Sequence, residues 1–253
     1  MKRSELTKYL NEILKPQLFK DYGPNGLHIE GRENIKKIAF AVSATKKSIA
    51  KAVQENADTL IVHHGLFWKF HGVRTITGAF ANRIKPLIQN DINLFGYHLP
   101  LDAHLEIGNA ASLAALIGLT NLSPFGDHKG VPTGVSGEFA QPIKVNELQE
   151  KIKNILDHDV MLSSHNSSKA ISSLGIITGG ANGDWVHCLE NNIEAYLTGE
   201  MSEHDWHEAQ ESEVHMFAGG HHATEKFGVQ SLMKKIQDEL EIECFYIDSA
   251  NPA

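Results

Sequence analysis

Short apolar runs alternate with amphipathic segments along the first half of the chain. Residues 35–42 read as a strand, 46–56 as a helix, and 59–62 as a buried strand that stops at His63. A helix over 79–90, a strand over 92–95 and a helix over 109–117 follow. This alternation predicts an α/β layer with a largely parallel sheet. Between Thr120 and Gly137 the composition turns to Pro, Gly, Ser and Asp, which predicts a linker. Beyond it come a strand-like start at 138 and an amphipathic helix over 145–156, with Asn146 as its N-cap and Gln149 three residues on.

The first pattern then returns. Residues 35–65 can be laid on 171–201 at a constant offset of 136 and without a gap, so that strand, helix and strand fall in register. Residues 92–102 match 214–225 once a single gap is allowed before the carboxylate. A repeat of this length predicts two similar α/β units, residues 1–125 and 126–253, packed around a shared cleft. The C-terminal segment is expected to pack back on the first unit.

Composition narrows the function classes. Of 253 residues, 42% are hydrophobic and 21% charged, an ordinary globular balance. The longest nearly apolar stretch, 110–119, is far shorter than the roughly 20 residues a membrane helix needs, so no membrane span is expected. Residues 1–17 are charged throughout and do not read as a signal peptide, and two cysteines give no disulfide framework. The expected location is the cytoplasm. A net charge of −8 argues against nucleic acid or an anionic membrane as the partner and leaves a small-molecule substrate.

The chain also carries 15 histidines, and histidine is both the commonest metal ligand and the commonest general base. Three groups concentrate the chemistry. His63-His64-Gly65 follows an apolar run, and the crevice of an open α/β sheet lies at the strands' carboxyl ends. Adjacent strand residues point to opposite faces, so convergence of the two imidazoles requires a turn, which Gly65 allows. An incidental histidine pair in a loop is the plain alternative. The second group, His98 to His104, sets Asp102 after Pro100 at a strand end, where it can be a hard oxygen ligand or merely the N-cap of the following helix. In the third, His221 and Glu225 are four apart and share one face of a helical first turn, whether as a ligand pair or as a solvated helix start. Together the groups supply the histidine and carboxylate mixture of dinuclear hydrolase centres, without thiolate. Glu200, with His204 four residues on, falls in the repeat where His64 does, and either lines the same cleft or starts a helix.

At these residues the chain resembles the Nif-three-like dinuclear-metal family, also described as type 2 homologues of GTP cyclohydrolase I, in its short bacterial form. The resemblance runs from Asp21-Tyr22-Gly23-Pro24-Asn25-Gly26 through His63-His64-Gly65, Gly96 to Asp102, Thr198-Gly199-Glu200 and Gly220 to Glu225, to the closing Asn251-Pro252-Ala253. It implies His63, His64, Asp102, His221 and Glu225 as metal ligands, Glu225 bridging two divalent ions of zinc, iron or manganese. It also implies paired α/β units and a ring-shaped homohexamer. The second motif departs from the commoner His-Thr-Asn-x-Asp form, having Leu99-Pro100-Leu101 between His98 and Asp102, and the insert of longer members is absent. The expected function is metal-dependent hydrolysis of a nucleotide or other small anionic substrate, with His98 and His222 as proton-transfer groups. The alternatives are a metal-handling protein that stores or delivers ions, and a scaffold whose metals only stabilise the fold.

Overall fold

A computed structural model describes residues 1–253. In chain order the regular elements are α1 (Arg3–Leu14), β1 (Gly26–Ile29), β2 (Lys37–Ser43), α2 (Lys46–Gln54), β3 (Thr59–His64), α3 (Gly78–Gln89), β4 (Asn93–Gly96) and the single turn α4 (Leu99–Asp102). Then come α5 (Asn109–Ile117), β5 (Leu119–Phe125), β6 (Gly134–Lys144), α6 (Val145–Leu156), β7 (Met161–Ser163), β8 (Ala170–Ile176) and α7 (His187–Asn191). The chain finishes with β9 (Ala195–Thr198), α8 (Glu203–Glu211), β10 (His215–Ala218), α9 (His221–Leu240) and β11 (Glu243–Tyr246). No helix is long and apolar enough to cross a membrane.

Two compact units result, Met1–Leu101 with Val229–Ala250, and Asp102–Gly228 with Asn251–Ala253. The first holds a sheet of order β1-β4-β3-β2-β11, in which β2, β3, β4 and β11 run parallel and β1 antiparallel. Its central strands are apolar on both faces, and both faces are buried, as a parallel sheet requires. Phe40, Leu60, Ile61, Val62, Leu94 and Phe95 are all buried. Thr45 caps α2 through reciprocal hydrogen bonds with Ser48, which fixes where the strand β2 gives way to helix.

The second unit has a sheet of order β5-β6-β8-β9-β10-β7. Within it β8, β9 and β10 are parallel and β7 closes the β10 side antiparallel, the arrangement that β2, β3, β4 and β1 make in the first unit. Even the register repeats: Ile38 lies opposite Thr59 and Gly175 opposite Tyr196, a spacing of 21 residues in both. The units differ at the other edge, where β11 extends one sheet in parallel and the β5–β6 hairpin extends the other antiparallel.

Several expectations change. Residues 120–137 are no linker, for β5 and the start of β6 occupy them. Their polar composition reflects an edge strand with solvated positions, where Pro124 is tolerated because nothing beyond it needs its N–H. The unit boundary falls at 101/102 and again inside α9 at 228/229, not near residue 125. Its cause is packing: Ala110, Leu113, Ile117 and Leu119 bury with Leu148, Ile152 and Leu174 in the second unit's core. Strand β3 runs through His64 instead of stopping at His63. Helix α6 is preceded by Lys144 as N-cap, while the Asn146 side-chain carbonyl accepts from the Glu147 N–H and Gln149 donates to the Val160 carbonyl.

One buried group makes the fold sensitive to acid. His215, at the start of β10, is fully buried, pairs through Nδ1 with the Ser164 hydroxyl at 2.8 Å, and stacks on His165 at 4.5 Å. Burial, with the charges of His165 and Lys169, lowers its pKa to about 4 from 6.5. The unfolded chain therefore takes up this proton first, so the stability is complete above about pH 6.5 and is lost as the pH falls toward 4. His215→Phe should show a smaller drop in urea midpoint between pH 7.5 and pH 5 than the parent chain. An equal drop would assign the acid sensitivity to other groups.

Candidate metal centre

The first unit gathers three histidines at the ends of its parallel strands. His63 and His64 close β3, His98 follows β4, and one ring nitrogen of each lies within 4.8 Å of the others. The ring centroids are 4.6 Å apart for His63 and His64, 4.9 Å for His63 and His98, and 5.6 Å for His64 and His98. Convergence does not use a turn at Gly65, whose φ is not positive. Gly65 and Gly96 are instead small because His28 packs against them: a Cβ at Gly65 would overlap its ring, and one at Gly96 would come within 2.5 Å of it.

Acceptors behind two of the rings, His63 and His98, fix Nδ1 as the donor. His63 is fully buried and its Nδ1 donates to the Tyr97 carbonyl at 3.1 Å, so the neutral ring presents Nε2 as its basic nitrogen. His98 donates from Nδ1 to Asp21 at 2.8 Å, which leaves it the same tautomer. His64 Nδ1 pairs with the Ser43 hydroxyl at 3.0 Å.

In the sequence Asp21 stands out only as part of a motif, and its role emerges here. Its buried carboxylate also accepts from the Asn25 amide at 2.9 Å and from the N–H groups of Tyr22 and Leu99, at 2.6 and 2.9 Å. Burial opposes the charge, but the hydrogen bonds and charge of His98, with those from Asn25 and Leu99, outweigh it and lower the pKa to about 2. The sequence signal that could have found it is an Asp with Asn four residues on, in a turn rich in Gly and Pro.

The second unit assembles carboxylates. Asp102 ends the one-turn helix α4 and is nearly buried, with Oδ1 accepting from the Asn109 amide at 2.8 Å and the Thr178 hydroxyl at 3.3 Å. It is not the N-cap of α5, a position that Gly108 holds. Asn109 in turn accepts from the Gly228 N–H at 2.8 Å, so one amide orients Asp102 and anchors α9. Only a glycine at 228 lets Asn109 that close, since a Cβ there would lie 2.5 Å from its oxygen.

Helix α9 opens with His221 and carries the buried Glu225 one turn later, with His221 Nε2 at 3.3 Å from the Glu225 carboxylate. Glu200 receives the other nitrogen, Nδ1, at 2.5 Å. Burial disfavours a charged imidazole, yet the two carboxylates outweigh it and raise the His221 pKa to about 9. A metal ion at Nε2 would take the place of that proton, the usual competition at such ligands. Gly179, just past β8 with φ 71°, makes room: a Cβ there would overlap the Glu225 carboxylate and lie 3.1 Å from His221 Nε2.

These donors fit a divalent ion: imidazoles with oriented basic nitrogens, buried carboxylates that call for positive charge, and no thiolate. Both cysteines, Cys188 and Cys244, lie apart from the donors, and burial pushes each thiol up to about 12. Of the remaining predicted residues, Glu200 joins the centre through His221. His204 does not, since it lies exposed on α8 beside Asp205 at 3.7 Å. His222 is buried, its N–H donating to the Ala253 carbonyl at 2.8 Å, and it belongs to none of the donor groups.

Relatives carry the same chain from end to end. A Haemophilus influenzae protein named GTP cyclohydrolase 1 type 2 homolog is 40% identical over 253 residues, with 100% of each chain covered. The solved structure of protein ybgI, described as of unknown function, superposes with a TM-score of 0.93 at 38% identity over 100% of both chains. That of TTHA1606 from Thermus thermophilus gives 0.88 at 30% identity, again over 100% of both. The sequence pattern of Duf34/NIF3 (NGG1p interacting factor 3) matches residues 1–252, and the chain belongs to that family.

Proposed function

We propose that the protein is a metal-dependent hydrolase that works in the cytoplasm on a nucleotide or another small anionic substrate. His63, His64, Asp102, His221 and Glu225 hold two divalent ions per chain, of zinc, iron or manganese. The observation that carries the reading is the histidine trio of the first unit, whose buried and half-buried rings are held from behind by the Tyr97 carbonyl, the Ser43 hydroxyl and the Asp21 carboxylate. The relatives' printed name supports a nucleotide as the substrate class.

When bound, the ions would supply electrophilic activation of a phosphoryl or carbonyl oxygen. The chain's own groups do the rest. Asp21 holds His98 through Nδ1, so that Nε2 is the nitrogen left to take or give a proton beside His63 and His64. His222 is the second proton-transfer group. Glu200 keeps the His221 ring in place through Nδ1.

Replacing His98 separates a catalyst from a carrier of ions. His98→Ala should retain both metals and lose roughly 10²- to 10⁴-fold in turnover, the range for a general acid or base. Asp21→Asn should lose about 10- to 100-fold, because the ring keeps a weaker partner. Turnover is measured in a screen of phosphoesters, nucleotides and cyclic amides, alongside metal transfer to a chelating acceptor. Unchanged hydrolysis in His98→Ala would remove the proton-transfer role, and wild-type metal transfer without any hydrolysis would establish delivery as the function.

The assembly proposed with this reading is a ring-shaped homohexamer, the closed symmetry usual among soluble homo-oligomers being in its favour. Light scattering should then give a mass near six times 27.9 kDa. A monomer at micromolar concentration would remove the ring and leave the metal reading intact.

A further inference from the structure

The loop after β3 turns its apolar side chains outward. Phe70 is 70% exposed, Ile76 is 56% exposed and Val73 is fully exposed, a concentration of apolar surface that marks binding sites more often than chance. Two of the loop's rings are nevertheless held in order. The Trp68 indole N–H donates to the Gly65 carbonyl at 3.1 Å, and its ring meets His98 edge to face at 5.1 Å and 86°. Phe70 lies stacked on Trp68 at 5.6 Å and 16°. Between them Lys69 points the other way, its ammonium donating to the Asp21 carbonyl at 2.6 Å and its N–H to the Tyr22 carbonyl at 2.7 Å. The backbone is thereby pinned so that residues 68 and 70 share one side, and a ladder of rings leads from the histidine cluster to solvent.

From this ladder we propose that Trp68 and Phe70 form a stacking subsite for a planar heteroaromatic ring, a nucleobase in chemical class, with the anionic part of the same molecule directed at the histidines. The inference rests on the metal-centre reading above and adds the residues that choose the substrate. A π-face accepts any base, so the subsite selects for the presence of a ring and tolerates its identity. Phe70 has one face on Trp68 and the His71 ring edge to face at 4.6 Å, and its remaining exposed surface admits a ring from solvent.

The test uses the protein as purified, with its metals, and two probes, adenosine 5′-monophosphate and ribose 5-phosphate, titrated by calorimetry. Stacking on an aromatic side chain corresponds to roughly 5- to 150-fold in affinity, so the nucleotide should bind the parent chain more tightly by a factor in that range. Trp68→Ala and Phe70→Ala should each remove most of that preference, Trp68→Phe and Phe70→Tyr should keep it, and neither Phe70 variant should change ribose 5-phosphate binding or metal content. Equal binding of the two probes, a preference that survives both alanine variants, or no binding of either at millimolar concentration would overturn the subsite. An altered mass in light scattering with the preference intact would assign the loop to contacts between copies and overturn it too. A preference dependent on Trp68 in protein that contains no metal would remove the hydrolase reading while keeping the subsite.

Discussion

Imidazoles and carboxylates can be buried only where neighbours answer their polarity, and the organisation of both units follows from meeting that demand at strand ends. His63 is fully buried yet donates to the Tyr97 carbonyl, and the same bond fixes the nitrogen it presents. Asp21 is buried because four donors converge on it, one of them His98. Asp102 is buried because Asn109 and Thr178 serve one of its oxygens. In each case the group that makes burial tolerable also aims the donor, so stability and site geometry rest on the same bonds.

Close approach is the second consequence. Donors crowd together only where backbone without side chains lets them, and three glycines supply that space: Gly65 beneath His28, Gly179 beside Glu225, and Gly228 against Asn109. Ala at Gly179 would both clash with the carboxylate and occupy a left-handed conformation that L side chains disfavour. The internal repeat explains why candidate donors recur at strand ends. The same order of one antiparallel and three parallel strands delivers His64 from β3, and Glu200 follows β9 two residues past its end.

What could be read in the sequence was whatever depends on local periodicity. The strands β2, β3 and β4 and the helices α2, α5 and α6 follow from runs and spacing, and the repeat follows from an ungapped offset. The candidate donors were visible as local motifs, His63 with His64, His98 with Asp102, and His221 with Glu225. Asp21 and Asn109 were not, for their partners lie far along the chain, at His98 and Gly228, and no local pattern announces such pairings. The β5–β6 hairpin was hidden by its solvated edge, which carries the composition of a loop. The division inside α9 was hidden because a helix of regular pattern gives no sign that two cores share it.

The account stands on metal ions answering the charge of the buried carboxylates, above all Glu225, which is 3% exposed. Replacing it by glutamine preserves its shape and removes the negative charge that keeps neighbouring cations compatible. Elemental analysis of untagged protein, with the fold checked by circular dichroism, tests this directly. The expected result is two divalent ions per chain in the parent protein and fewer than two in folded Glu225→Gln. A parent chain without metal, or a variant that retains both ions, would contradict it.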